Sequence, residues 1–182
     1  MDVKRLGLVL ALAALAGLCP STQPLRASTV DRETERQLTV AASTLVRLRS
    51  QALVPKSRNE RRRRMPPEVL GVAISPNLAR AQERALRELE NRNRAPVEGG
   101  PAFTGARTRL EPARTIRTGD RITLEAIEHT EVRYGGGKVT QSIRRRFEFM
   151  TRGDRITLLD EQVVDRGTHP INDPGPFPAG SR

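Results

Sequence analysis

Glu128 is the residue best placed to do chemistry in this chain, because the alternation of apolar and polar residues around it turns its carboxylate inward in the middle of a strand. A carboxylate held inside a fold can serve as a general acid or base, orient a ligand, or neutralise a buried cation. Centring the turn at Gly135-Gly136-Gly137-Lys138 so that Tyr134 faces Val139 sets Leu124 against Phe149, Ala126 against Phe147 and Thr130 against Ile143. The apolar residues of both strands then share one face, and a slip of one residue would turn one strand's set to water. In that register Glu128 lies directly opposite Arg145 on the inner face. A facing guanidinium favours the ionised carboxylate, the wrong form for a general acid. The candidate ligand-pocket residues are therefore Glu128, Thr130, Arg145 and Tyr134. The plainer alternatives are a buried structural ion pair and, for Tyr134, packing at the end of a hairpin.

Other catalytic patterns fail on residue type or spacing. The chain has two histidines; His129 falls on the outer face beside Glu131 and His169 lies in the tail. The lone cysteine, Cys19, sits in an N-terminal segment expected to be removed, so neither a zinc site nor thiol chemistry finds ligands. The triple glycine joins two antiparallel strands and lacks the helix of a phosphate loop, and no nucleophile elbow frames a serine. No catalytic residue, cofactor or metal is assigned. Arg152-Gly153-Asp154 spells an adhesion tripeptide, but a hairpin demands Gly-Asp there for its own reasons.

Charge supplies the competing chemistry. The formal net charge is +11, and removing residues 1–27 takes Lys4, Arg5 and Arg26 against Asp2, leaving +9. Nearly all of it is arginine. Arg58 and the run Arg61, Arg62, Arg63 and Arg64 lie in a polar stretch ending in Met65-Pro66-Pro67, read as an exposed loop. With Arg144 and Arg146 on the outer sheet face and Arg133 beyond, these form a candidate grip on a polyanion such as a cell-wall polymer. Four phenylalanines, one tyrosine and no tryptophan leave few stacking platforms, which argues against nucleic acid.

The elements that must position these side chains follow from periodicity. Residues 1–27 read as a signal peptide: Lys4 and Arg5 lead an apolar stretch from Leu6 to Leu18, too short to span a bilayer, and Pro20 and Pro24 follow. Cleavage is placed after Ala27, which makes the protein secreted with no transmembrane anchor after cleavage. A lipid anchor through Cys19 is the alternative. A helix is expected over about 30–54, with Asp31, Glu33 and Glu35 in its opening turn and Leu38, Ala41, Leu45, Leu48 and Ala52 on one stripe. A second helix is expected over about 76–93, opened by Ser75-Pro76.

After the Gly/Pro-rich linker at 96–105 the period changes to two, and strands are expected over about 107–165. A near-repeat, Gly119-Asp120-Arg121-Ile122-Thr123-Leu124 and Gly153-Asp154-Arg155-Ile156-Thr157-Leu158, marks the turns into the second and fourth strands of an antiparallel meander. A three-residue first turn pairs Ile116 with Ile122. The last hairpin sets Ile156 and Leu158 against Thr151 and Phe149. Helices first and sheet afterwards give an α+β class, two helices packed on a curved four-stranded meander. Residues 28–174 form one domain in this reading, and 175–182 a disordered Pro/Gly tail.

The order helix, helix, meander, with Glu128-x-Thr130, Phe147-x-Phe149 and a closing Gly153, resembles the cystatin-like cone fold of nuclear transport factor 2-like proteins. Leu48, the Ala52-Leu53-Val54-Pro55 segment and Arg145-Arg146-Phe147-x-Phe149 are similar to the region preceding the amidase domain in secreted actinobacterial proteins. The resemblance covers about Leu38 to Pro174. It implies a concave pocket and pairing of two copies through the outer sheet face. The expected function is a non-catalytic binding or accessory module for a protein or small ligand. A small-pocket enzyme using Glu128 and a polyanion-binding protein acting through the Arg61 to Arg64 loop are the alternatives.

Overall fold

A computed structural model describes residues 27–55, 64–92, 102–165 and 167–174. The elements run β1 (Ala27–Ser28), α1 (Arg32–Ala52), β2 (Glu68–Val69), β3 (Val72–Ile74), α2 (Pro76–Arg92), β4 (Phe103–Thr118), β5 (Arg121–Tyr134), β6 (Gly137–Arg152) and β7 (Arg155–Val163). The class is α+β. One curled sheet holds all seven strands in the order β1-β4-β5-β6-β7-β3-β2. The signal-peptide segment up to residue 26, Arg58 and Arg61 to Arg63, and the tail from residue 175 lie outside the described residues.

Helix α1 starts where its side chains can satisfy its first amides: Asp31 Oδ1 accepts from the Thr34 backbone N–H at 2.9 Å, and Glu33 and Glu35 occupy the first turn. Its inward stripe, Leu38, Ala41, Ala42, Leu45 and Val46, is fully buried against Leu124, Phe147, Phe149 and Leu158 of the sheet. Ser75 opens α2 by accepting from the Leu78 N–H at 3.2 Å. Gln82 of α2 donates to the Leu45 carbonyl of α1 at 2.8 Å, so the second helix is pinned to the first by a buried polar contact. A smaller cluster of Ala52, Leu53, Leu86, Leu89, Phe103 and Val132 closes that end.

The register departs from the sequence expectation by two residues between β5 and β6. Val132 pairs with Val139, Glu128 with Ile143, Ala126 with Arg145 and Leu124 with Phe147, while Tyr134 faces Gly137. Because side chains alternate with period two, the shift keeps every residue on its expected face and changes only its opposite number. The turn is tighter than expected, and that tightening accounts for the slip. In the first hairpin Gly119 takes φ +59° in a two-residue turn, so Arg117 rather than Ile116 pairs with Ile122. Gly153, at φ +58°, repeats this turn, and there Thr151 with Ile156 and Phe149 with Leu158 pair as expected.

Two features have no counterpart in the periodicity. A hairpin of β2 and β3 crosses over to lie parallel to β7, pairing Val72 with Ile156 and Ile74 with Leu158. Its turn, Leu70-Gly71, holds both residues at positive φ, +48° and +80°. A bulge between Glu148 and Phe149 leaves Leu159 of β7 without a partner, so Phe149 faces Leu158 while Phe147 faces Glu161. Beyond the bulge β7 reverses which of its residues point inward.

Candidate functional site

Glu128 and Arg145 are drawn into the space between α1 and the sheet by their own inward parity, and each side chain is only 1% exposed. Burial of two full charges is tolerated only if both are paired and their remaining hydrogen-bonding capacity is filled. Here it is. Arg145 Nε donates to Glu128 Oε2, Nη1 to Glu161 Oε1 at 2.5 Å, and Nη2 to Asn172 Oδ1 at 3.3 Å. Glu161 in turn accepts from Arg49 Nη2 of α1. Glu128 Oε1 accepts from Thr130 Oγ1 at 3.0 Å and from Asn172 Nδ2 at 2.5 Å.

The result is a chain of alternating charge, Arg49, Glu161, Arg145, Glu128, with no net charge of its own. A line of hydroxyls extends it: Thr130 to Thr108 at 3.0 Å, and Thr108 to Ser50 of α1. Burial alone would raise the Glu161 carboxyl, but Arg49 and Arg145 outweigh it and hold it below the ordinary 4.5. Burial likewise acts to lower Arg49, and Glu161, Asp173 and Glu128 overcome it, raising the guanidinium above its ordinary value. Arg49 Nε is buried without a partner among the described residues.

Asn172 comes from the segment after β7, whose described residues form no helix or strand. Gln141 holds that segment like a peptide mimic: its Nε2 donates to the His169 carbonyl at 3.0 Å and its Oε1 accepts from the Ile171 N–H at 2.9 Å. Held there, Asn172 is 1% exposed and also donates to Ser50 Oγ at 2.9 Å. The segment thus fills the interior that Glu128 and Arg145 would otherwise open to a ligand.

Of the four pocket candidates the structure brings together Glu128, Thr130 and Arg145. Tyr134 is six residues along β5 from Glu128, about 20 Å at the rise of a strand, and half-buried over Gly136 and Gly137 beside the smaller cluster. Arg49, Glu161 and Asn172 complete the network without having been marked by the sequence patterns. Arg49 lies four residues after Leu45 on the buried stripe, a signal that was there to read. The bulge hides Glu161, and no periodicity marks Asn172.

The basic candidates are placed differently. Arg144 and Arg146 lie on the outer face, where Arg144 Nε meets Asp165 Oδ1 at 2.7 Å and Arg146 Nη2 meets Glu125 Oε1 at 2.9 Å. Asp165 is lowered by the Arg144 backbone and side chain that bond it. Arg64 is exposed. Among the described residues no cluster of three or more His, Cys, Asp or Glu could hold a metal ion, and no helix is long and apolar enough to cross a membrane.

No family model matches this chain and no curated protein matches it. Among solved structures, a crystal structure of TerC co-crystallised with polyporic acid aligns at 18% identity over 47% of this chain and 55% of that one, with a TM-score of 0.28. The alignment spans about half of each chain, and at that score it carries no argument about fold or function.

Proposed function

We propose that this chain is an exported, non-catalytic binding or accessory module with a cone-shaped, cystatin-like arrangement of two helices on a curved meander. One observation carries the non-catalytic reading: among the described residues every buried charged head group is engaged with another group of the same chain. Glu128 accepts from Arg145, Thr130 and Asn172, and Glu161 accepts from Arg49 and Arg145. A general acid or base needs a proton-exchanging atom in reach of a substrate, and a nucleophile needs an open approach. Both inner carboxylates sit at 5% side-chain exposure or less. Export rests on the Lys4-Arg5 and Leu6 to Leu18 pattern. Cleavage after Ala27 would leave Ser28 at the N-terminus, still paired with Arg117 of β4.

The test is to incubate the chain beginning at Ser28 with spent medium of its own host and follow small molecules by mass spectrometry over time. The binding reading expects no mass to be consumed. Time-dependent loss of a compound that stops with Glu128→Gln, in a variant that still unfolds cooperatively, would make Glu128 catalytic and overturn the proposal.

A further inference from the structure

A groove of about 650 Å³, open to solvent, runs over one end of the sheet at the rows Arg107–Glu131–Thr140 and Arg109–His129–Ser142. Arg133 and, from α1, Arg47 also line it, so four arginines stand beside one lining carboxylate, Glu131, and a second, Glu111, that meets Arg109. Of the four, only Arg133 stands among the basic residues that the sequence singles out.

The arginines of this molecule divide by what they already hold. Arg49 and Arg145 are buried and spent on the inner carboxylates, while Arg144 and Arg146 are matched one to one by Asp165 and Glu125. Arg47 and Arg107 are exposed and make no ion pair or side-chain hydrogen bond among the described residues. Arg109 and Arg133 contact Glu111 and Glu131 at 3.1 and 2.8 Å, but these are exposed pairs between near neighbours in sequence. Exposed pairs contribute little, so their guanidiniums can exchange a carboxylate for a ligand at small cost. The groove therefore has two free guanidiniums, two exchangeable ones and, on the far side of β5 from Arg107 and Arg109, the hydroxyls of Thr140 and of Ser142, the latter bonded to His129 Nδ1 at 2.8 Å.

We propose that this groove binds a ligand carrying two or more acid groups, phosphate or carboxylate, through Arg47 and Arg107, with Arg109 and Arg133 as secondary contacts. Guanidinium presents paired N–H donors that match both acid types. A ligand with a single charge would engage only one arginine at a time in a solvent-open site. The assignment rests on the binding reading above and gives that reading a ligand class.

The experiment uses the chain beginning at Ser28, with tripolyphosphate and citrate as probes, followed by isothermal titration calorimetry in low and moderate salt. The expected result is saturable binding of at least one probe, weakening with salt, and at least tenfold weaker in the double variant Arg47→Gln, Arg107→Gln. The double variant Arg144→Gln, Arg146→Gln removes the same charge elsewhere and should stay within a factor of two to three. Preference between the probes decides phosphate or carboxylate. Absence of binding, or equal losses in both double variants, overturns the groove and leaves the accessory reading standing. Phosphorus NMR of the recovered probe separates the two failures, since hydrolysed tripolyphosphate would sink the non-catalytic reading instead.

Discussion

Arg145 and Glu161 meet inside the molecule at 2.5 Å although strict alternation from Ile156 and Leu158 would put Glu161 on the outer face. The unpaired Leu159 shifts the phase of β7 by one residue and turns Glu161 inward. This one irregularity supplies the carboxylate that Arg49 and Arg145 share; without it Arg49 would be left with the charges of Asp173 and Glu128.

Glu161→Gln should therefore be severely destabilising, by about 3–5 kcal/mol, since both buried guanidiniums lose the carboxylate they share. The paired change Glu161→Leu with Arg49→Met leaves Arg145 and Glu128 matched and should cost less than Glu161→Gln alone. Urea unfolding of these proteins, and of Glu161→Leu and Arg49→Met singly, measures this. A double variant that is as damaged as the sum of its parts would show that the two residues do not act as a pair.

The same carboxyl sets an acid limit. Glu161 is held below its ordinary 4.5 in the folded state, so it binds protons more readily when unfolded. Its contribution is fully present above about 4.5 and is lost as pH falls through the lower folded value. Arg49, raised above its ordinary value, stays charged throughout this range and imposes no limit there. Thermal midpoints should fall steeply on acidification below about pH 4.5, and Glu161→Gln should flatten that slope. An unchanged slope would place the acid sensitivity elsewhere.

Asn172 should matter beyond its size. Removing its amide in Asn172→Ala strips one partner each from Glu128, Arg145 and Ser50, at about 1–3 kcal/mol. Asn172→Asp should cost more at neutral pH, because it replaces the N–H that reaches Glu128 with a second carboxylate oxygen. Its deficit relative to Asn172→Ala should shrink on acidification as one carboxyl of the new pair takes up a proton. A pH-independent difference between the two variants would contradict the geometry.

Leu70 holds φ +48° in a tight turn, a conformation that costs a side chain with a bulky Cγ and suits Asn or Gly. It is 48% exposed and gives up little packing when replaced. Leu70→Asn should stabilise the protein by up to about 1 kcal/mol, whereas Gly153→Ala, at φ +58° with no crowding around its Cβ position, should cost about 1 kcal/mol through backbone strain alone. Opposite signs in paired thermal melts are the expected outcome. Matching signs would remove backbone strain as the cause.

The sequence by itself determined what depends on local periodicity and turn chemistry: two helices ahead of a sheet, the Gly-Asp hairpin turns, and the inward parity of Glu128, Thr130 and Arg145. Parity survived even where the β5–β6 register was displaced by two residues, because strand side chains repeat with that period. Only the tertiary structure decided who those inward groups meet. The crossover hairpin beside β7, the bulge that turns Glu161 inward, the helix that delivers Arg49, and the segment that lays Asn172 between Glu128 and Arg145 bring together residues 16 to 126 positions apart. A one-residue bulge leaves no periodic trace, and an irregular segment has none to leave. Their places are set by the requirement that buried charges and amides find partners, a condition that the completed fold satisfies and no local run of residues encodes.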